Sequence, residues 1–502
     1  MSSFDGEIRV ASTIIDYLSS GLYKSPAACL KELVNNSYDA DASLVEIFVK
    51  PDADRIIVSD DGHGMDKDEF VSHFERISTS AKRISQATTL KFDRPKIGKI
   101  GIGFIAANEI CEVIEIYSTK AGSSDVLYVR IDFEELKKPQ EERIQENQDV
   151  VKADYFGEVS SNADIDDHYT QLFLTKVKGP AKHILASAGT RSSSDENEAK
   201  AFSIFGLEID SVNDMLRTAT FRSWQDYDAY SETALQVALN VPVEYHKEWI
   251  PHQARLKKFV NETEQLGFNV EYDGVPLRKP IVFSGVGKNF VRTFSFKGKE
   301  VSARGYFYAQ HGTIKPLELQ GVLVRIRHAA VGDYDQTFLD FSQSESPLIQ
   351  KWVSCEIWAD DRLEAAMNID RTTLRDTHPA YVEFRELFHN ELRKTLKKAR
   401  SEIYQAVNNE RKPAKARAAV SQLSNVVQRT LTGSTKKSAQ EELRLIEDLP
   451  DEELSGTQLV KNFSVVQLFE IVVRVVKDCL PQKQQERFLS QLLRELREGT
   501  RK

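Results

Sequence analysis

Three polar side chains fall on what would be one stripe of a helix. In "ELVNNSYDA" the residues Glu32, Asn36 and Asp39 are four and three positions apart, the spacing that stacks side chains on a common helical face. Converging polar groups buried without partners are costly. The stripe therefore either faces solvent or lines a site filled by water, a metal ion and a ligand. A second group follows in "SDDGHGM", where Asp60 ends a strand-like run and Gly62, Gly64 and Met65 come directly after it. A carboxylate there can accept from a flat polar ligand, and backbone without Cβ can approach such a ligand closely. Asp-Gly is also an ordinary turn pair. A third group, "GKIGIGF", places Gly98, Gly101 and Gly103 just ahead of the helical run "IAANEI". Glycines in that setting let successive N–H groups and a helix N-terminus converge on anionic oxygens.

These residues need elements to hold them. Val10, Ile14, Ile15 and Leu18 recur at helical spacing before the break "SSGLYKSP", and a second helix is expected from about Pro26 through Asp39. "SLVEIFVK", the turn "PDAD" and "RIIVSDDG" read as two strands, with Val45, Ile47 and Val49 alternating with Leu44, Glu46 and Phe48. "CEVIEIYST", "VLYVRIDF" and "YTQLFLTKV" supply further strands, and a domain boundary is expected near residue 180.

In that order the motifs E-x-x-x-N-x-x-D-A, D-x-G-x-G-M and G-x-x-G-x-G-F resemble the GHKL superfamily: gyrase, the ninety-kilodalton heat-shock chaperone, histidine kinases and MutL, together with the MORC ATPases. The resemblance covers about residues 7 to 180 and implies a Bergerat fold, an α/β sandwich that holds Mg-ATP under a mobile lid. It implies that Glu32 is the general base for the attacking water, Asn36 the Mg²⁺ ligand and Asp60 the acceptor for the adenine amino group. Asp39 and Met65 match pocket-lining positions. Gly98, Gly101 and Gly103 match the lid around the phosphates, with Lys99 and Phe104 counted in the same nucleotide-binding set. Thr170 falls where the family places a strand threonine near adenine, although Tyr169 replaces the usual preceding glycine. Histidine kinases usually carry Asn where this chain has Glu32, so the carboxylate favours an ATPase.

Further along, "MNIDRTTL" resembles the catalytic loop of the chaperone's middle domain and retains Asn368 and Arg371 three residues apart. That likeness implies that Arg371 delivers positive charge to the γ-phosphate. A surface pairing of Arg371 with Asp370 or Asp376 is the other reading, and Lys82, Lys96 and Lys99 are rival cations.

The rest of the chain gives broader expectations. Its 502 residues leave room for several domains, and the formal charge of −9 argues against blanket binding to nucleic acid. The charge is uneven: residues 391–437 carry twelve Lys or Arg against three Glu, whereas 441–453 carry seven acids and one Arg. Such blocks are ordinarily solvated helix faces or linkers, and DNA contact by the basic run is the alternative. The four cysteines, Cys29, Cys111, Cys355 and Cys479, form no CxxC pair, so no zinc site or disulfide framework is indicated. "MSSFDGEIRVASTIIDYL" has no signal-like pattern and no apolar run reaches membrane-spanning length, so a cytoplasmic protein without membrane contact is expected.

The fold class expected is α+β. A GHKL ATP-binding domain at 1–180 is followed by a transducer or middle-type α/β domain at 181–400. A basic linker at 401–440 then leads to a helical dimerisation or partner-binding region at 441–502. With ATP and Mg²⁺ as cofactors, the function expected is a homodimeric clamp closing on a protein client or a DNA-associated partner. The rival is a nucleotide-gated interaction protein with little turnover.

Overall fold

Helix α1, Pro26–Asp39, begins at a complete N-terminal signal. The Ser25 hydroxyl accepts from the Ala28 N–H at 3.3 Å, and Pro26 occupies a first-turn position where no N–H is required. Leu30, Leu33, Val34 and Tyr38 are fully buried and share one core with Val45, Ile47, Ile56 and Val58. The computed structural model describes residues 25–49, 55–74, 88–98, 106–138, 155–161, 163–186, 223–246, 253–279, 289–342, 351–368, 371–430, 433–451, 453, 465–485, 487–488 and 490–491. The helix expected from residues 7 to 24 and the polar segment 187–200 lie outside the described residues. By its internal contacts the chain divides into two units, Met1–Ile403 and Tyr404–Lys502.

The first unit contains two sheets. One has strands β1 (Leu44–Phe48), β2 (Arg55–Asp60), β3 (Cys111–Thr119), β4 (Asp125–Asp132), β5 (Phe156–Ser161), β6 (Tyr169–Val177), β7 (Asn269–Tyr272) and β8 (Val275–Pro276). Their order is β5-β4-β3-β6-β2-β1-β7-β8, with β1 and β7 parallel and the other pairs antiparallel. Val45, Ile47 and Val49 point inward, as their alternation predicts.

The boundary expected near residue 180 does not part this sheet. Strands β7 and β8, well beyond it, extend the sheet alongside β1, and helix α2 (Ala229–Asn240) packs on α1. The physical reason is that β1 would otherwise be an open edge, and β7 pairs with it from Leu44↔Asn269 to Ile47↔Tyr272. Asp273 and Gly274, with φ of 48° and 82°, form the tight turn between β7 and β8.

The second sheet has strands β9 (Asn289–Lys297), β10 (Ser302–Gln310), β11 (Gly321–Ile326), β12 (Ala329–Asp335) and β13 (Val353–Ala359), in the order β12-β11-β13-β10-β9. Helix α2 also touches β12, so it lies between the two sheets. Strand β13 is buried along its whole length. Its one charged residue, Glu356, receives Arg325 Nε at 2.5 Å, the Tyr245 hydroxyl at 2.7 Å and the Tyr306 hydroxyl at 2.8 Å. A buried carboxylate requires that degree of partnering. The first turns of helix α3 (Pro379–Thr430) cover the sheet's other face with Tyr381, Phe384, Phe388, Leu392 and Leu396, which pack with Phe294 and Phe307.

The stretch expected to be a basic linker, 401–440, is helical at its described residues. Helix α3 runs to Thr430 and α4 spans Gly433–Glu447. The spacing of Ala416 and Val420, both buried, gives this basic segment an inner face, while Lys415 and Arg417 stay exposed. Helix α5 (Val465–Cys479) follows. Among the described residues no helix is long and apolar enough to cross a membrane, and the four cysteines are free thiols, with only Cys479 exposed.

Candidate nucleotide site

Helix α1, the loop after β2 and the segment before the glycine-rich run meet at one end of the first sheet. Glu32 and Asn36 are half-buried on α1, and Asp39, one turn on, is 5% exposed. The Asp39 carboxylate is already occupied by protein: it accepts from the Ile97 N–H at 2.6 Å and from the Gly98 N–H at 2.7 Å. Charge-assisted bonds of this kind fix a backbone strongly. Asp39 thus fastens the base of the glycine-rich segment to the helix that carries Glu32. Gly98 is the first glycine of that segment; Lys99, Gly101, Gly103 and Phe104 lie outside the described residues, as does Lys82.

Asp60 is buried at the end of β2. Its Oδ2 accepts from the Ser37 hydroxyl at 2.7 Å and its Oδ1 from the Gly62 N–H at 2.9 Å. Burial pushes its carboxyl up from 3.8 to about 6, against those two hydrogen bonds, which favour the ionised form. Opposite it in the β2–β6 ladder stands Thr170. The Thr170 hydroxyl lies 3.0 Å from that of Ser118, whose oxygen also accepts from the Met65 N–H at 2.9 Å. Asp60, Met65 and Thr170 are therefore linked through neighbouring strands and one serine.

The two glycines after Asp60 are required for a reason different from close approach to a ligand. A Cβ on Gly62 would stand 2.7 Å from the Ala40 carbonyl oxygen and 2.8 Å from Asp60 Oδ1, and one on Gly64, where φ is 67°, would stand 1.8 Å from the Thr119 oxygen. The protein's own backbone and Asp60 fill the space a side chain would need. The His168 ring nitrogen at 2.8 Å from the Gly62 carbonyl further fixes this loop.

Arg371 sits in a loop closed by an antiparallel bridge between Met367 and Leu374. The Asn368 amide donates to the Thr373 hydroxyl at 2.6 Å, and the Arg371 N–H donates to the Asn368 carbonyl at 3.1 Å. From there the Arg371 guanidinium donates to the Ile97 carbonyl, one residue before Gly98. Asp376 pairs with Arg385 at 3.9 Å, and Asp370 lies outside the described residues.

Three contributors escaped the motif pattern. Ser37 and Ser118 reach their partners across 23 and 53 residues, separations that no local spacing encodes. Asn35 is different: it lies three residues after Glu32, on the same stripe, and is 3% exposed with neither amide atom hydrogen-bonded among the described residues. A buried orphan amide next to Asn36 fits a wall completed by a ligand, its metal ion or bound water. The "NN" doublet carried that signal.

The family model described as histidine kinase-, DNA gyrase B- and HSP90-like ATPase matches residues 23–170. A putative type II restriction enzyme, HgiDII, from Herpetosiphon aurantiacus is 34% identical over 122 residues, covering 24% of this chain and 19% of its own. The chaperone protein HtpG of Bacillus subtilis (strain 168) is 28% identical over 131 residues, or 22% of this chain and 21% of its own. The DNA mismatch repair protein MutL of Myxococcus xanthus is 42% identical over 77 residues, or 15% and 12%. The chain thus spans about a fifth or less of the length of these curated relatives. All of the matched region of the family model precedes strand β7.

Proposed function

We propose, for a chain whose residues 23–170 belong to the histidine kinase-, DNA gyrase B- and HSP90-like ATPases, that it is an ATP-hydrolysing conformational clamp. The observation that carries this reading is the Asp39 carboxylate on the N–H groups of Ile97 and Gly98. It joins the helix bearing the candidate base to the candidate lid, so occupancy of one bears on the position of the other.

In this reading Glu32 orients the attacking water and takes its proton. Asn36 supplies a neutral oxygen for Mg²⁺, which when bound neutralises phosphate charge. Asp60 in its ionised form accepts from the adenine amino group, with Met65 and Thr170 beside it. The segment from Gly98 through Lys99, Gly101, Gly103 and Phe104 wraps the phosphates. Arg371 swings from the Ile97 carbonyl to the γ-phosphate as the lid closes, adding the charge stabilisation on which phosphoryl transfer depends. Two copies of the chain associate through the C-terminal helices and close together.

The client is a polypeptide in the version that follows the chaperone-like loop at Arg371. A DNA-associated partner is favoured by one observation, the exposed row of Arg393, Lys394, Lys397, Lys398 and Arg400 on α3. Two of the similar proteins, a mismatch repair protein and a putative restriction enzyme, have names that point the same way. DNA recovered with the purified protein and lost as salt is added would support that version.

Steady-state ATP turnover of the wild type and of Glu32→Ala tests the central claim. Turnover abolished by the substitution, with ATP binding kept, is the expected result. Turnover indifferent to it sinks the mechanism, and binding without any turnover leaves a nucleotide-gated interaction protein in its place.

A further inference from the structure

The turn between β11 and β12 is made by Arg327 and His328, with φ of 52° and 68°. The pairs Arg325↔Ala330 and Ile326↔Ala329 flank it, so it is a two-residue turn in the left-handed region. Asn and Gly suit such a turn best; an arginine there is held at a conformational cost. Its side chain shows why. Only 9% exposed, the guanidinium binds Asp361 at 2.9 Å and Glu364 at 3.0 Å, and donates to the Lys96 carbonyl. Asp361 and Glu364 belong to the 3-10 helix Asp361–Ala366, which runs directly into the loop carrying Arg371.

The same short peptide is consequently held from several sides. Arg327 takes the carbonyl of Lys96, Arg371 the carbonyl of Ile97, and Asp39 the N–H groups of Ile97 and Gly98. Lys31, on α1 next to Glu32, donates to the Ala330 carbonyl at 3.1 Å, so the nucleotide-site helix also grips the hairpin that bears Arg327.

We propose that Arg327 is a positioning residue for Arg371: it binds the β11–β12 turn, the 3-10 helix before the Arg371 loop and the peptide in front of Gly98 into one unit. Arg371 is then held at a fixed place relative to Ile97 and Gly98. Arg327 touches no nucleotide in this scheme. The inference rests on the ATPase reading above, and it makes the second sheet a mechanical partner of the nucleotide site.

Arg327→Asn is the informative variant, because asparagine relaxes the left-handed turn while deleting the grip. The expected result is a melting temperature lower by a few degrees, because Glu364 loses its buried partner, with a KM for ATP within about twofold and a kcat lower by roughly tenfold. Combined with Arg371→Ala, it should slow turnover no further than Arg371→Ala alone, since both act through one arm. An unchanged kcat, or losses that multiply in the double variant, overturns the proposal. If the wild type shows no Glu32-dependent turnover, the ATPase reading has failed separately. Amide exchange at Ile97 and Gly98 in nucleotide-free protein then decides the matter: exchange several times faster in Arg327→Asn upholds the grip, and identical protection refutes it.

Discussion

Asp39 and Arg371 hold one peptide by its opposite ends of polarity: the carboxylate accepts the N–H groups of Ile97 and Gly98, while the guanidinium donates to the Ile97 carbonyl. Asn in place of Asp39 keeps the volume but presents an NH₂ group where one of those N–H donors points. Asp39→Asn should therefore cost about 2 kcal/mol of stability and weaken ATP binding by roughly tenfold, because the lid base is no longer fixed. Urea unfolding and equilibrium ATP binding read the two effects. Unaltered affinity would separate Asp39 from nucleotide binding.

Arg371→Ala removes the guanidinium bond to Ile97 and leaves in place the bond between Asn368 and Thr373 and the Arg371 N–H on the Asn368 carbonyl. Folding and ATP affinity should persist, and kcat should fall by roughly a hundredfold, as loss of a charge that acts in the transition state does. A single-turnover assay separates the chemical step from product release. An undiminished rate would pass the role to Lys82, Lys96 or Lys99.

Asp60 gives a pH signature with opposite signs for stability and for binding. Its folded-state value, raised by burial to about 6, exceeds the unfolded one. The stability it contributes is therefore complete below the unfolded value of about 4 and is lost as pH rises through about 6, a span worth about 3 kcal/mol. Binding runs the other way, since only the carboxylate accepts from the adenine amino group: affinity should drop as pH falls below about 6. Asp60→Asn should flatten the stability profile between about pH 4 and about pH 6, the window those two values bound, and should bind ATP poorly throughout. An identical pH slope in that variant would assign the titration to another group.

Much of the first sheet was legible in the sequence because its determinants are local. Ser25 and Pro26 mark the start of α1, and Val45, Ile47 and Val49 keep the alternation of a half-buried strand. The domain boundary was not, because the pairing of β7 with β1 joins residues more than two hundred positions apart and leaves no periodic trace. The site divides in the same manner. Spacing brought Glu32, Asn36 and Asp39 onto one face, but only the fold reveals that Asp39 serves the backbone of Ile97 and Gly98, or that Ser37 donates to Asp60. The glycines at 62 and 64 were recognised by type, while their physical need lies in Ala40, Asp60 and Thr119. Arg327 carried no motif; its importance comes from three partners in two segments far apart in sequence, Asp361 and Glu364 in one and Lys96 in the other.

Lys279 tests the interior of the second sheet independently of nucleotide chemistry. It is fully buried, its Nζ stands 4.7 Å from the centroid of the Tyr245 ring, and no hydrogen-bond partner for it occurs among the described residues. Burial drives its pKa well below the ordinary lysine value, Arg325 adds to that depression, and Glu356 opposes it. A base depressed in the folded state contributes its full stability above the unfolded value, about 10.4, and loses it as pH falls. The wild type should accordingly gain stability as pH rises from neutral toward about 9. Lys279→Met fills the same volume with no charge to discharge, so it should be more stable than the wild type at pH 7, and the advantage should shrink toward pH 9. Urea midpoints at the two pH values measure both effects, and a methionine variant less stable at neutral pH would mean that the amine is charged and paired in the folded protein.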